Sequence, residues 1–390
     1  MITVTDALAH LFDLVAPLPS ETIPLNKANR RILAKDVKAQ RDQPPFAASA
    51  MDGYAVANSD TTPGARLTVI GEAAAGHRYT GTPSQGQAVR IFTGAPLPDG
   101  TDRVVIQEDV TRDGDEIILG NKLDVKTHVR PAGADFCIGD TISAPRILNA
   151  SDVALLGAMN ISAVPVTRKP VVAIIATGDE LVQPGEVPGP DQIIASNSYG
   201  MAALVADCGG TSRLLPIARD NIPSLELAFD LAKDADLIVT IGGASVGDHD
   251  LVGDVAQSIG MQRSFYKIAM RPGKPLMAGR LGDATMIGLP GNPVSAMVCG
   301  HIFLAPVIRK MRGLGAETAP RQTSILAHDI KPNGPREHYM RARRDENEVT
   351  VFERQDSALL TVLADANCLA VRPVNDPGRH KGDGIEIIML

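Results

Sequence analysis

The spacing of apolar residues changes several times along the chain, and each change predicts a different kind of local structure. Near the N-terminus the apolar positions repeat at helical spacing after Thr5, which predicts an amphipathic helix with Thr5 as its cap. A strand-like run, ETIPL, follows at 21–25, and the stretch ANRRILAKDV at 28–37 predicts a second helix. Two prolines at 44 and 45 then mark the end of this region.

From about residue 65 to about residue 140 the pattern changes to short β-branched runs, which predict a compact β region. The runs are RLTVIG, AVRIFTG and DRVVIQEDV, and the segment RDGDEIIL carries an Asp-Gly turn signal. Helical spacing returns in LNASDVALLGAM at 148–159, where either Asn149 or Ser151 can cap the helix. If this segment packs back against the N-terminal helices, the β region is an insertion in a discontinuous domain.

Strand-like and helix-like segments alternate from 169 to about 312, which is typical of a parallel sheet covered by helices on both faces. Apolar strands such as PVVAIIATG, DLIVTIGG and ATMIGLPG are followed by helical patterns, the last of them PVSAMVCGHIFLAPVIRKMRG. After 313 the helical signal stops, and five strand-like runs predict a small β-barrel or sandwich. The predicted domains are 1–45 with 141–168, 46–140, 169–312 and 313–390.

Composition narrows the class of protein to a globular one, since 44% of the 390 residues are hydrophobic and 21% are charged. A net charge of −7 gives no general attraction to nucleic acid or to anionic lipid. The N-terminus does not resemble a signal peptide, and the longest apolar stretch, VSAMVCGHIFLAPVI, is too short to span a bilayer. The four cysteines are widely spaced, which predicts buried free thiols. We therefore expect a cytoplasmic protein that binds neither nucleic acid nor membrane.

Candidate chemistry lies in loops that follow the predicted strands, because parallel sheets bind ligands at the carboxyl ends of their strands. The first loop, TGDEL, places Thr177, Gly178, Asp179 and Glu180 at a strand end, where two carboxylates suit Mg²⁺ or a hydroxyl-rich ligand. The alternative is an aspartate that caps the next helix. The second loop, GGASVGDHD, is rich in glycine and suits an anion nest, or else a plain turn. Its candidates are Gly242, Gly243, Ser245 and Asp250.

Two further loops add an anion site and two cations. In GLPGNPVSA, Pro290, Gly291 and Asn292 precede a long helix whose N-terminus attracts anions, although the loop is equally well a simple connector. In KIAMRPGKPL, Arg271 and Lys274 flank a Pro-Gly turn and suit phosphate or another oxyanion, with solvated surface cations as the alternative. Together the four loops predict a phosphorylated ligand, such as a mononucleotide, with Mg²⁺ on one sheet edge.

Several common catalytic signatures are absent from the sequence. It has no HExxH, Walker A or GxGxxG motif, and no Ser-His-Asp order that would indicate a nucleophilic triad. The residues therefore favour metal-assisted phosphoryl or oxyanion transfer, in which positioning and charge stabilisation do the work.

A series of blocks in the right order resembles the molybdopterin molybdenumtransferase family, which includes MoeA and the E domain of gephyrin. The blocks are SAMDGYAV (49–56), RIFTGAPLPDGTDRVVIQED (90–109), ATGDEL (176–181), TIGGASVGDHD (240–250), MRPGKPL (270–276), GLPGNPVSA (288–296) and REHYMRARR (336–344). They run through nearly the whole chain, and several in sequence are more specific than any one.

The resemblance implies a multidomain fold. Its parts are a three-layer α/β domain with a mostly parallel sheet like that of MoaB and MogA, an inserted β domain, an elongated N-terminal domain and a C-terminal β-barrel. It also implies a homodimer, with the active cleft between the α/β domain of one subunit and the inserted β domain of the other. Asp52 and Thr93 would then reach the site from the partner chain.

Other roles follow from the same resemblance. Glu180, Asp220 and Asp250 would hold Mg²⁺ or orient the pterin and pyrophosphate, Lys274 and Arg271 would face the anion, and Arg341 and Ser357 would help to bind molybdate. The implied reaction inserts molybdate into adenylylated molybdopterin and releases AMP. The implied protein partners are the molybdopterin adenylyltransferase and molybdoenzyme-maturation proteins. Two alternatives are the adenylyltransferase itself and a non-catalytic scaffold like gephyrin.

Overall fold

Residues 1–243 and 251–390 are described in a computed structural model of the chain. The helices in these ranges are α1 (Val4–Leu14), α2 (Ala150–Ala158), α3 (Ser196–Asp207), α4 (Ile222–Ala232), α5 (Leu251–Ser258), α6 (Pro293–Cys299), α7 (Ala305–Met311) and α8 (Leu360–Asp365). Short 3-10 helices occur at Leu25–Lys27, Asn58–Asp60 and Gln107–Asp109, and a π-helix at Gly300–Leu304.

The strands of the first 167 residues are mostly short. They are β1 (Ser20–Pro24), β2 (Ile32–Leu33), β3 (Val37–Lys38), β4 (Ala48–Ser49), β5 (Gly53–Val56), β6 (Arg66–Ala73), β7 (Gln87–Ile91), β8 (Arg103–Ile106), β9 (Val110–Asp113), β10 (Glu116–Leu119), β11 (Val129–Arg130), β12 (Thr141–Ile142), β13 (Arg146–Ile147) and β14 (Ala163–Thr167).

The strands of the second half form two six-stranded sheets and one pair, β16 with β17. They are β15 (Val171–Ala176), β16 (Leu181–Val182), β17 (Ile193–Ile194), β18 (Thr211–Leu214), β19 (Leu237–Ile241), β20 (Gln262–Tyr266), β21 (Met270–Arg271), β22 (Met277–Leu281), β23 (Ala284–Leu289), β24 (Gln322–Leu326), β25 (Glu337–Asp345), β26 (Glu348–Val351), β27 (Cys368–Arg372) and β28 (Gly384–Met389).

The N-terminal helix α1 is amphipathic as predicted, but its cap is Thr3 and not Thr5. The Thr3 hydroxyl accepts from the Asp6 N–H at 3.1 Å, and the Asp6 carboxylate accepts from the Thr3 N–H at 3.3 Å. This capping box satisfies two donors that a helix start leaves open, so the helix begins two residues earlier than predicted. The buried face of α1 packs into the core of the central sheet.

The predicted helix over 28–37 is wrong, because this stretch forms β2 and β3. Strand β2 pairs antiparallel with β14 and with β13, more than 110 residues later in the chain. Together with β1 they form a four-stranded sheet in the order β1-β14-β2-β13, which joins residues 20–33 to residues 146–167. Non-local pairing therefore overrides the local helical spacing.

The β region forms a six-stranded sheet in the order β8-β5-β7-β6-β10-β9. The hairpin predicted from the Asp-Gly signal is confirmed, since β9 and β10 pair antiparallel around that turn. The predicted helix after this region is also confirmed as α2, and its cap is Asn149, whose side chain accepts from the Asp152 N–H at 3.0 Å. The domain limits assigned from the sequence stay a prediction.

The central unit is the predicted three-layer α/β arrangement. Its sheet has the order β18-β15-β19-β23-β22-β20, with parallel pairing from β18 to β23 and antiparallel pairing at β22 and β20. Residues on β15 alternate between two hydrophobic cores: Val172 and Ile174 face α1, α3, α6 and α7, whereas Ala173 and Ile175 face α4 and α5. The sheet is thus buried on both faces, which explains why its strands read as continuous apolar runs.

The last unit is a closed β-barrel. Its strands pair in the circular order β25-β26-β24-β28-β27, and β27 pairs back to β25. This result decides between the barrel and the sandwich that the strand pattern allowed. Helix α8 lies between β26 and β27 and was not predicted. Strand β21 comes from the region between β20 and β22 of the central sheet, yet it pairs with β25 of the barrel.

The apolar segment 293–311 is one helical rod in which a π-helical turn separates α6 from α7. It is long and apolar enough to cross a membrane by length and composition, which the sequence analysis did not expect. However, 72% of it is buried inside the protein, as in a core helix.

All four cysteines are free, as predicted. Cys299 and Cys368 are buried, Cys208 is half-buried, and Cys137 is exposed. The prediction of burial is therefore wrong for Cys137. Burial raises the pKa of the Cys208 and Cys368 thiols to about 11, so both stay protonated near neutral pH.

A buried ion pair joins Arg372, the last residue of β27, to Asp376 in the segment that follows, and it leads to a stability prediction. The guanidinium of Arg372, only 1% exposed, donates to the carboxylate of Asp376, which also accepts from Arg379 at 2.8 and 2.9 Å. Burial acts to raise the pKa of Asp376, but the hydrogen bonds from Arg379 and Arg372 outweigh burial and hold this pKa below its ordinary value. The pair thus stabilises the fold at pH values above the ordinary pKa of aspartate. This stability is lost as the pH falls through the lowered pKa of Asp376.

Replacing Asp376 by asparagine should lower the free energy of opening of the barrel by about 3 kcal/mol, because it leaves a buried arginine without its counter-charge. Hydrogen exchange of the β24 to β28 amides measures this free energy. Asp345→Asn is the matched control, since Asp345 pairs with Arg343 on the exposed surface and should change it by less than about 1 kcal/mol. Equal effects of both substitutions would contradict the prediction.

Candidate functional site

A cavity of about 640 Å³ opens at the carboxyl edge of the central sheet. In the ladder, Ala176, Ile241 and Leu289 are register partners, so the loops after β15, β19 and β23 leave the sheet side by side. Nine residues predicted from the sequence line the cavity: Thr177, Gly178, Glu180, Asp220, Gly242, Gly243, Pro290, Gly291 and Asn292. The convergence of these loops, expected for a parallel sheet, is therefore present.

Two of these positions require glycine. Gly242 has a φ of +98°, and a Cβ there would lie 2.6 Å from the carbonyl oxygen of Thr177. Gly178 has a φ of +151°, and its Cβ would lie 2.4 Å from a carboxylate oxygen of Glu180. The first glycine lets two neighbouring loops approach each other, and the second leaves room for the Glu180 carboxylate beside the backbone.

Carboxylates gather on one side of the cavity. Asp220 and Glu180 line it, and the N–H of Asp220 donates to the Asp179 carboxylate at 3.2 Å. Burial raises the pKa of Asp220 above its ordinary value, and the charges of Asp179 and Glu180 raise it further. The folded protein thus holds excess negative charge here, which a bound cation would relieve.

Arg219 holds the TGDEL loop in place, although sequence reasoning did not single it out. Its guanidinium Nη1 donates to the carbonyl oxygens of Asp179 at 2.9 Å, Leu181 at 3.2 Å and Gly178 at 3.5 Å. One arginine therefore fixes the backbone that carries both acidic side chains. The sequence signal was only its position beside Asp220 in ARDN.

Asn197 is a second residue that sequence reasoning missed. Its side-chain N–H donates to the Gly291 carbonyl oxygen at 2.7 Å, while its Oδ1 is buried without a hydrogen-bond partner in the described residues. The hydroxyl of Thr177, which is 3% exposed, also lacks a partner among the described residues. Both atoms belong to residues that line the cavity, so both can accept hydrogen bonds from a ligand.

The third predicted loop differs in detail from expectation. Asn292 occupies the N-cap position of α6, with Pro293 in the first turn, but its side chain makes no capping hydrogen bond. Its Nδ2 instead donates to the hydroxyl of Ser357 at 3.1 Å, and the N–H of Val294 donates to the Ser357 carbonyl oxygen at 3.0 Å. Ser357 is thereby attached to the α6 end of the cavity, where Ala358 is a lining residue.

The fourth loop reaches the cavity only through Pro275, so the expectation that its two cations lie on this edge of the sheet is wrong. Arg271 belongs to β21 and pairs beside His338 of the barrel. Lys274 is half-buried in the following turn, and neither cation lines the cavity, although Pro275 does. The reason is that β21 leaves the central sheet to extend the barrel, which a two-residue strand cannot reveal in the sequence.

Arg341 of β25 is fully buried, which the sequence did not indicate. Its Nη2 donates to the Asp356 carbonyl oxygen at 2.8 Å, while Nε and Nη1 have no partner among the described residues. The buried guanidinium therefore retains donors for an anion close to the Ser357 segment.

Asp52 and Thr93 form a pair in the β region, but neither lines the cavity of the same chain. The Asp52 carboxylate accepts from the Thr93 N–H at 2.8 Å and from its hydroxyl at 2.7 Å. Both hydrogen bonds hold the pKa of Asp52 below its ordinary value, and the bond from the backbone N–H has the larger effect. Two further predicted residues, Ser245 and Asp250, lie outside the described residues.

Comparison with known proteins agrees with this arrangement. Three family models match in chain order: the MoeA N-terminal region (domain I and II) at 2–159, the probable molybdopterin binding domain at 173–310 and the MoeA C-terminal region (domain IV) at 323–390. A molybdopterin molybdenumtransferase of Nostoc sp. is 35% identical, with 100% of this chain and 94% of the relative covered. The chain belongs to the molybdopterin molybdenumtransferase family.

Other members of the molybdopterin molybdenumtransferase family show the same extent of similarity. The protein of that name from Haemophilus influenzae is 34% identical over 95% of this chain and 94% of its own. A crystal structure of the molybdopterin biosynthesis MoeA protein from Pyrococcus horikoshii matches with a TM-score of 0.87 and 29% identity, covering 100% of this chain and 99% of that one. The likeness therefore extends over the whole fold.

Proposed function

We propose that the protein inserts molybdate into adenylylated molybdopterin during molybdenum cofactor biosynthesis, with Mg²⁺-dependent hydrolysis that releases AMP. The observation that carries the proposal is the cavity on the central sheet, where glycine loops, a helix start and two carboxylates meet in a member of this family. A cavity of this size suits one small-molecule substrate.

The donor set of the cavity fits Mg²⁺. Magnesium is commonly bound through one or two carboxylates together with substrate phosphates, and Glu180 and Asp220 supply such a pair. Among residues 1–243 and 251–390 there is no group of three or more side chains able to hold a metal, so the substrate or Asp250 would complete the shell. When bound, Mg²⁺ would polarise the phosphoanhydride of the substrate.

The residues of the chain bind and orient the substrate. Gly242 and Gly243 line the cavity without a side chain and so leave space there for phosphate oxygens, while Asn197 and Thr177 offer acceptors for hydrogen-bond donors of the ligand. In the reaction, water adds to the phosphorus of AMP and the bond to the pterin phosphate breaks. Arg341, with Lys274, Arg271 and Ser357, would hold the molybdate dianion.

The remaining parts of the proposal concern assembly and location. We infer a homodimer in which Asp52 and Thr93 of one protomer complete the cavity of the other, since they do not line their own. We also propose a cytoplasmic protein that exchanges substrate and product with the molybdopterin adenylyltransferase and with molybdoenzyme-maturation proteins. Family membership does not favour the two alternatives, an adenylyltransferase or a scaffold without catalysis.

Single-turnover release of AMP from adenylylated molybdopterin tests the proposal. We expect release to require both molybdate and Mg²⁺, and no ATP to be consumed. Formation of adenylylated molybdopterin from ATP would instead identify an adenylyltransferase. Tight binding of the pterin without turnover under any combination of the two ions would identify a scaffold.

A further inference from the structure

A second cavity, of about 630 Å³, lies in the C-terminal barrel. Among the described residues, Arg271 is the only one named in the proposed reaction that also lines this cavity. We call it the barrel cavity. Its lining includes Arg271, Lys331, His338, Gln355 and Arg372. Three of these form a row across neighbouring strands, because His338 on β25 is the register partner of Arg271 on β21 and of Arg372 on β27.

His338 is the central residue of this row, and it lacks a hydrogen-bond partner. Its side chain is 6% exposed, and its Nε2 is buried without a partner in the described part of the chain. Burial, with the charges of Arg271, Arg341, Arg372 and Arg336, lowers the pKa of His338 to about 3. The ring is therefore neutral near pH 7, and its Nε2 can donate to a ligand in one tautomer.

Positive charge around His338 is only partly compensated. The guanidinium of Arg372 is matched by Asp376, whereas Arg341 keeps two nitrogen atoms without partners among the described residues. Arg271 and Lys331 are exposed members of the lining. The two carboxylates of the lining, Asp329 and Glu353, are both exposed. Asp329 accepts from the N–H of Lys381 at 2.8 Å and lies 3.3 Å from Nδ1 of His380. Neither carboxylate forms an ion pair with Arg271, Lys331 or Arg341 in the described part of the chain.

The barrel cavity is close to the proposed reaction cavity in the chain. Glu353 and Gln355 line the barrel cavity, while Ala358 lines the cavity on the central sheet. Arg341 contacts the segment between them, since its Nη2 donates to the Asp356 carbonyl oxygen. Residues 356–357 therefore connect the lining of one cavity to that of the other along the chain, and the buried guanidinium of Arg341 contacts them.

We propose that the barrel cavity is a second oxyanion site, which binds a free tetrahedral dianion of the molybdate, tungstate and sulfate class through Arg271, Lys331 and the imidazole N–H of His338. The inference rests on the proposed function for the role of the ligand. The site would hold the free oxyanion in the barrel, next along the chain to the cavity where the pterin reacts. Binding would also give the buried His338 nitrogen the hydrogen-bond partner that it lacks, and would give Arg271 and Lys331 a counter-charge.

Two measurements on the full-length protein test this site. In crystals soaked with sodium tungstate, anomalous diffraction should show tungsten within hydrogen-bond distance of His338 Nε2. In solution, calorimetric titration with molybdate should lose one of two binding events per chain in His338→Leu, with affinity at that site reduced at least about tenfold. His338→Gln keeps an N–H donor and should retain both events.

Controls separate the site from general damage and from other ligands. His10→Leu replaces an exposed histidine on α1 and should leave both binding events unchanged. Lys331→Gln changes an exposed side chain and should weaken the same binding event without disturbing the fold. It therefore tests the site even if His338→Leu unfolds the barrel. Tungsten found only beside Lys274, Arg341 and Ser357 would overturn the proposal, as would displacement of tungsten from the barrel cavity by AMP, which would indicate a nucleotide phosphate site.

The outcome is distinguishable from that of the proposed reaction. AMP release with no anion in the barrel cavity would reject the second site and leave the function standing. An anion beside His338 in a protein that never releases AMP would support the site as an oxyanion receptor and reject the reaction.

Discussion

Glu180→Gln and Asp220→Asn should each slow the release of AMP from adenylylated molybdopterin by more than about 100-fold. Even the outer partners of metal ligands are worth about 10- to 100-fold in affinity or activity, and these two carboxylates line the cavity itself. Single-turnover kinetics across a range of Mg²⁺ concentrations measure the effect. Because both side chains keep their size, the loss should be partly recovered at high Mg²⁺ concentration.

A matched control is Asp283→Asn, an exposed carboxylate of the same unit that does not line the cavity. It should release AMP at the normal rate. If either cavity variant did the same at low Mg²⁺ concentration, the two carboxylates would not be the metal ligands.

The same pair has a consequence for stability as a function of pH. Asp220 has a raised pKa, so its contribution to stability is present below the ordinary aspartate value of 3.8 and is lost as the pH rises through the raised pKa. Mg²⁺ binds the ionised form and should restore this stability near neutral pH. Thermal unfolding of Asp220→Asn should therefore respond less to Mg²⁺ than that of the unsubstituted protein.

Mixing Asp52→Ala protein with Glu180→Gln protein should restore activity that neither variant has separately. In a symmetric dimer with composite sites, half of the randomly mixed dimers carry one variant of each kind, and each of these has one intact site. About a quarter of the sites should then be active. The physical reason is that the Asp52–Thr93 pair and the acidic cavity lie in different parts of one chain.

The experiment requires exchange of subunits, which brief treatment with a mild denaturant followed by refolding provides. A mixture of Glu180→Gln with Asp220→Asn is the matched control, because both substitutions fall in the same half-site and no intact site can form. Activity in this control equal to that of the first mixture, or none in either, would contradict a site shared between protomers.

The central unit could be predicted from the sequence because its strands are buried on both faces. Each strand is a continuous apolar run, and each run ends in loop residues that the parallel register brings to one edge. The loops after β15, β19 and β23 therefore supply eight of the nine predicted residues of the cavity, and the segment after β18 supplies the ninth, Asp220. The sequence pattern did not show that Arg271 belongs to the barrel or that residues 28–37 form strands. The reason is that β21 and β2 have two residues each, and their partners lie far along the chain.

Residues that act through geometry were also beyond the sequence. Arg219 looks like any surface arginine until its guanidinium is seen to bind three carbonyl oxygens of one loop. His338 is one histidine among eight, and only its cross-strand neighbours and its burial distinguish it. The oxygen of Asn197 becomes informative only because nothing among the described residues bonds to it.

The strand β21 also limits how the protein can open. Met270 and Arg271 are paired into the barrel, whereas Met277 begins a strand of the central sheet, so five residues join the two units at this point. Such a link spans at most roughly 20 Å when fully extended. The barrel cannot separate widely from the central sheet unless β21 leaves β25. We therefore expect a substrate to enter between the two units when the barrel rotates about residues 272–276. Lys274 lies within this hinge segment.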